Sequence, residues 1–150
     1  MSSSRMHTYV PIIRKFVARV LLYHSAVAAK LGLNVTDVNS LRLLAGEAMA
    51  AGKLSEQLGL TGAATTALID RLEKAGFVTR ERTSKDRRRV TVHADPEKLR
   101  EVNGLYTGQG VRMAKLLTKY SAEEFRTIMD FLEQTSQILG EEARAMREEK

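Results

Sequence analysis

The residues with the most chemistry to offer are cationic and lie close together. Between positions 79 and 92 stand Arg80, Arg82, Lys85, Arg87, Arg88 and Arg89, against only Glu81 and Asp86. Guanidinium and ammonium groups at that density suit a polyanion. They neutralise phosphates and release counterions, and an arginine gains from the negative potential of a narrow minor groove. Other chemistries find no footing. His7, His24 and His93 have no metal-ligand spacing, cysteine is absent, and no nucleophile elbow occurs. Gly46-Glu47-Ala48-Met49-Ala50-Ala51-Gly52-Lys53 has the outline of a phosphate loop. However, five residues separate its glycines where the motif needs four, and Leu54 stands in place of the magnesium-binding Ser or Thr. No enzyme activity, cofactor or metal is therefore expected.

Basic side chains need a frame to aim them. Residues 77–83 and 89–93 alternate in strand fashion around the polar turn Ser84-Lys85-Asp86-Arg87-Arg88, which predicts a hairpin. Upstream, Lys53–Leu58 reads as a short helix closed by Gly59, and Thr61 caps a second helix to about Ala75, with Gly76 at its C′ position and Phe77 beyond. Helix, tight turn, helix and basic hairpin in that order make a winged helix-turn-helix. On the second helix Leu68, Ile69 and Leu72 mark the buried side, with Thr65 close to it. The opposite side carries Ala63, Thr66, Ala67, Asp70 and Lys74, flanked by Ala64 and Arg71. Thr61, Ala63, Ala64, Thr66, Ala67 and Arg71 are thus the residues expected to enter a major groove. Their methyl groups suit thymine methyls, and the Thr66 hydroxyl suits a base edge or phosphate.

Long helices are expected on both flanks. Val10, Ile13, Val17, Val20, His24, Val27 and Leu31 recur at spacings of three and four, predicting a helix over 8–31 with Pro11 in its first turn and Gly32 as its stop. Thr36 is expected to cap a helix over Asp37–Ala48. After Asp95-Pro96 a helix is predicted to about Tyr120, within which Gly104, Gly108 and Gly110 imply either close helix contact or bending. Ser121 to Glu124 is a capping box opening a last helix with Phe125, Ile128, Leu132, Leu139 and Met146 on one face. The fold class is mainly α with a small β-hairpin wing. Its expected parts are an N-terminal dimerisation helix (1–35), a DNA-binding domain (36–94) and C-terminal dimerisation helices (95–150). Val10, Ile13, Val17, Val20, Phe125, Ile128, Leu132 and Leu139 form the expected dimer contact, because a monomer would expose two apolar seams. Residues 1–36 and 37–120 each carry a net charge of +5, and residues 121–150 carry −4. No apolar run is long enough for a membrane span, no signal peptide is recognised, and a cytoplasmic location is expected.

At 70–92 the string Asp-Arg-Leu-Glu-Lys-Ala-Gly-Phe-Val-Thr-Arg-Glu-Arg-Thr-Ser-Lys-Asp-Arg-Arg-Arg-Val-Thr-Val resembles the signature of the MarR family of regulators. Lys53-Leu54-Ser55-Glu56-Gln57-Leu58-Gly59-Leu60-Thr61 is similar to that family's preceding helix and turn. The resemblance implies a homodimeric repressor or activator on double-stranded DNA, with the terminal helices forming the dimer interface. It also implies a wing arginine in the minor groove oriented by an aspartate; Asp86 with Arg88 fits the spacing, and Arg87 stays open. Two recognition helices related by a twofold imply a pseudo-palindromic operator. A small aromatic or phenolic effector is implied too, with Tyr9, Arg19, Tyr23 and His24 as weak candidates to line its cleft. Ala67 departs from members that carry a larger polar residue there, which implies modest base discrimination. The competing readings are low-specificity, chromatin-like DNA binding and a winged helix that contacts protein.

Overall fold

The computed structural model describes residues 2–82 and 90–148. The elements run α1 (Ser2–Leu31), α2 (Val35–Leu44), β1 (Met49–Ala50), α3 (Ala51–Leu58), α4 (Gly62–Lys74), β2 (Val78–Arg82), β3 (Val90–Ala94), α5 (Pro96–Leu117) and α6 (Ala122–Glu148). The chain is mainly helical with one small sheet, as the periodicity predicts. Two compact units divide it, Met1–Leu105 and Tyr106–Lys150.

The first unit holds the buried core. Val27 and Ala28 of α1 join Val38, Leu41 and Leu44 of α2, Leu54 of α3, and Leu68, Ile69 and Leu72 of α4. Met49, Phe77, Val78, Val92 and Val102 complete it. The sheet order is β1-β3-β2, both pairings antiparallel, with Val78 opposite Ala94 and Arg82 opposite Val90. Alternation along β2 and β3 turns Val78 and Val92 into this core.

Several boundaries differ from expectation. The first helix starts at Ser2, so Pro11 lies inside it rather than in its first turn. Proline brings no N–H for the His7 carbonyl, and an exposed stretch of helix tolerates that loss. The cap of α2 is Asn34, not Thr36: Asn34 Oδ1 accepts from the Asp37 N–H at 2.9 Å, and Asp37 Oδ2 accepts from the Asn34 N–H at 3.2 Å. This reciprocal box fixes the start of the helix two residues before the expected first turn. The same helix stops at Leu44 because Met49 and Ala50 instead pair with Val92 and Thr91. The segment with the outline of a phosphate loop is therefore the approach to a sheet strand. Gly32 does end α1: Leu33 N–H donates to the Ala28 carbonyl at 2.9 Å.

The second unit comprises the end of α5 and all of α6. Ser121 and Glu124 form the predicted box, the Ser121 N–H donating to Glu124 Oε2 at 2.8 Å and the Glu124 N–H to Ser121 Oγ at 3.2 Å. No described residue from 106 onward is buried. A methyl group built at Gly104, Gly108 or Gly110 meets no described atom within 4 Å outside its own stretch of helix. Among the described residues no single helix is long and apolar enough to cross a membrane.

Candidate nucleic-acid interface

The helix-turn-helix is α3, the turn Gly59-Leu60-Thr61, and α4. Its turn is sharp because Gly59 adopts φ +63°, where a side chain would be strained. The Leu60 N–H then donates to the Ser55 carbonyl at 3.0 Å, and Ser55 Oγ donates to the Leu60 carbonyl at 2.8 Å. Thr61 caps α4, its Oγ1 accepting from the Ala64 N–H at 3.2 Å. Thr65, Leu68, Ile69 and Leu72 are buried, as expected from the helical wheel. Ala63, Ala64, Thr66, Ala67, Asp70, Arg71 and Lys74 are exposed. The exposed face thus begins with short side chains that let a helix approach base edges closely. Thr66 Oγ1 donates back to the Gly62 carbonyl at 3.0 Å, which leaves its lone pairs as acceptors.

Gly76 ends the helix at φ +76°, with its N–H donating to the Glu73 carbonyl at 3.0 Å and the Phe77 N–H to Leu72 at 2.9 Å. That 6→1 bond delivers the chain into the wing. Thr79 to Glu81 lie on β2, with Glu81 Oε2 standing 2.9 Å from His93 Nε2 on β3, an ion pair when the imidazole is protonated. The backbone of Arg82 closes the ladder opposite Val90. The expected tip residues Lys85, Asp86, Arg87, Arg88 and Arg89 lie outside the described residues.

Two of the expected DNA-facing arginines have protein partners that sequence reasoning missed. Arg71 grips Asp37 with both arms of its fork: Nε donates to Oδ2 at 3.0 Å and Nη2 to Oδ1 at 2.6 Å. The Asp37 side chain is fully buried, whereas 48% of Arg71 remains exposed. Hydrogen bonding to Asp37 raises the Arg71 pKa above its ordinary value, against the opposing effect of burial, so its charge is fixed. The pair ties the start of α2 to the recognition helix. Arg80 reaches from β2 to α4, where Nη1 donates to Glu73 Oε2 at 3.0 Å and Nη2 to Asp70 Oδ1 and, at 3.4 Å, to the Thr66 carbonyl. The i, i+3 spacing of Asp70 and Glu73 marks a paired acidic site on α4, but nothing in the sequence assigns Arg80 to it or Asp37 to Arg71.

On α1, Tyr23 Oη donates to the Leu105 carbonyl at 3.0 Å, and His24 Nε2 lies 3.4 Å from an Arg42 nitrogen. Tyr9 is half-buried and Arg19 exposed. The structure brings Tyr23 and His24 side by side, ring centroids 6.2 Å apart, with Arg19 one helical turn before Tyr23 and Tyr9 nearer the start of the helix. Of the expected dimer contacts, Val10, Ile13, Val20 and Ile128 are half-buried, and Val17, Phe125, Leu132 and Leu139 are exposed. Met6, Ile12, Phe16, Leu21 and Leu22 on α1, and Phe131, Ile138 and Met146 on α6, add further exposed apolar surface. Among the described residues no three His, Asp or Glu side chains converge to hold a metal ion.

Comparisons with known proteins agree with this geometry. The sequence model of the MarR family matches residues 33–90. The HTH-type transcriptional regulator YcgE of Bacillus subtilis (strain 168) is 36% identical over 143 residues, covering 94% of this chain and 92% of its own. A MepR variant from a multidrug-resistant S. aureus clinical isolate has a TM-score of 0.73 at 16% identity, over 87% of this chain and 96% of its own. A second S. aureus MepR variant, solved bound to an oligodeoxyribonucleotide, has a TM-score of 0.61 at 16% identity, over 87% of this chain and 97% of its own. The two structures share the fold.

Proposed function

The chain belongs to the MarR family, whose members are DNA-binding transcriptional regulators rather than enzymes, and from that premise we propose that it acts as a homodimer on a pseudo-palindromic operator. The observation that carries the reading is the exposed N-terminal face of α4, lined by short side chains. Thr61, Ala63, Ala64, Thr66 and Ala67 enter the major groove, where methyl contacts to thymine and the Thr66 oxygen read base edges. Arg71 flanks that face, half-exposed while bonded to Asp37. The wing, with Arg82 and the tip residues Lys85, Asp86, Arg87, Arg88 and Arg89, reaches the minor groove and its phosphates.

Support for the dimer comes from the terminal helices. Large apolar side chains stand exposed along α1 and α6, and no described residue after 105 is buried. A second copy covering Val10, Ile13, Val17, Val20, Phe125, Ile128, Leu132 and Leu139 removes that surface from water, and a twofold sets two α4 helices about one DNA turn apart. Release by a small aromatic or phenolic compound belongs to the same reading, with Tyr9, Arg19, Tyr23 and His24 the first residues to vary. The test is binding of the purified protein to duplex DNA from upstream of its own gene, repeated with Arg88→Ala at several salt concentrations. Tight dimer binding, weakened in the variant, is expected. Sequence-indifferent binding overturns the operator reading in favour of the chromatin-like one, and no binding at low salt overturns DNA recognition altogether.

A further inference from the structure

The recognition helix carries a problem for any protein that approaches phosphates. Asp70 and Glu73, i and i+3 on α4, are both part-exposed, at 58% and 41% of their side-chain surface. Asp70 lies on the same exposed side as Ala63, Thr66 and Ala67. Two bare carboxylates there would repel the DNA backbone and cancel much of what the wing cations gain. Both are met by one side chain. Arg80, the least exposed of the three at 23%, donates to Glu73 through Nη1 and to Asp70 through Nη2, with the Thr66 carbonyl 3.4 Å from the latter nitrogen. Thr66, Asp70 and Glu73 follow at spacings of four and three, so the guanidinium lies along two turns of α4. A fork held by two carboxylates and a carbonyl has its donors largely committed to protein.

We propose that Arg80 is a positioning residue for DNA binding that acts through Asp70 and Glu73: it neutralises the two carboxylates on the recognition helix and braces the wing against that helix, and it does not itself contact phosphate. This rests on the DNA-binding reading above. The consequence differs in kind from that of a phosphate contact. Loss of a phosphate-binding arginine removes attraction, and nothing done to neighbouring carboxylates restores the missing contact. Loss of Arg80 uncovers two negative charges, so removing those charges restores binding.

The experiment is a cycle on the duplex that the unmutated protein selects from a randomised pool, with Arg80→Met, Asp70→Asn/Glu73→Gln and the triple variant as its corners. Methionine keeps the apolar stem of the arginine without its charge. Thermal unfolding of each variant separates lost affinity from lost fold. Arg80→Met is expected to weaken binding on the order of tenfold or more at low salt, through uncovered repulsion. The triple variant is expected to recover most of that loss. Arg80→Met and the triple variant equally weak, with a salt slope about one unit shallower than wild type, would assign Arg80 to a phosphate and overturn the proposal. Wild-type affinity in Arg80→Met overturns it too. Failure of the unmutated protein to select or bind any duplex overturns the DNA-binding reading itself, and is seen before any variant is made.

Discussion

Replacing Arg71 by methionine tests the link between α2 and the recognition helix. Asp37 is fully buried, and among the described residues three donors serve its carboxylate: the Asn34 N–H at 3.2 Å and Arg71 twice, at 3.0 and 2.6 Å. The substitution leaves the first alone. Removing one partner of a buried pair costs roughly 3–5 kcal/mol, because the remaining charge is stranded away from water. Arg71 is 48% exposed, so water enters part of the space it vacates, and a loss of about 2–3 kcal/mol is expected. For a chain of this length that corresponds to a fall in Tm of roughly 5–10 °C. Circular dichroism melts at one fixed protein concentration read it, since the stability of any self-associating chain depends on concentration. Arg71→Met combined with Asp37→Asn removes the stranded charge and is expected to be more stable than Arg71→Met alone. A single variant within about 1 °C of wild type, or a double variant no better than the single, refutes the reasoning.

Glycine substitutions are expected to separate by conformation. Gly76→Ala, at φ +76°, lowers stability by about 1–2 kcal/mol, whereas Gly108→Ala, in a helix with open space around its Cβ, raises it by about 0.5–1 kcal/mol; denaturant melts measure both. Glu124 is held below the ordinary carboxylate range by the Ser121 backbone N–H and then by the Ser121 side chain. A depressed acid stabilises the fold above its unfolded pKa and loses that contribution as pH falls through the folded one. Wild type and Glu124→Gln are therefore expected to differ in Tm at neutral pH and to converge once the pH drops below the ordinary glutamate range; a constant difference down to pH 3 contradicts this. Leu132→Lys with Leu139→Lys places charge on the exposed apolar face of α6, and sedimentation is expected to show dissociation to monomer.

Local chemistry carried most of the reading from sequence. The buried stripe of Leu68, Ile69 and Leu72, the Thr61 cap, the Gly76 stop and the Ser121 box each depend on residues a few positions apart, and all stand where the pattern puts them. What escaped was non-local or lay in a weaker local signal. Thr36 looked like a cap until the Asn34–Asp37 reciprocity is considered, since an Asn-x-x-Asp box satisfies the same donors as the commoner Ser/Thr-x-x-Glu one. Strand β1 is two residues long, too short for any alternation to mark it, and exists only because β3 lies beside it. Arg71 and Arg80 were legible as cations. Their partners were not, because Asp37 lies 34 residues from Arg71 in sequence and the Asp70–Arg80 contact needs the wing folded back on α4.

The most direct measurement is selection from a pool of randomised duplexes, followed by footprinting of the winning sequence and counting of chains bound. A twofold pair of α4 helices predicts an inverted repeat with half-site centres about 10 base pairs, or one helical turn, apart, occupied by two chains. Binding without enrichment of any sequence, or enrichment of a single half-site by one chain, would contradict the account of a dimeric, sequence-specific regulator.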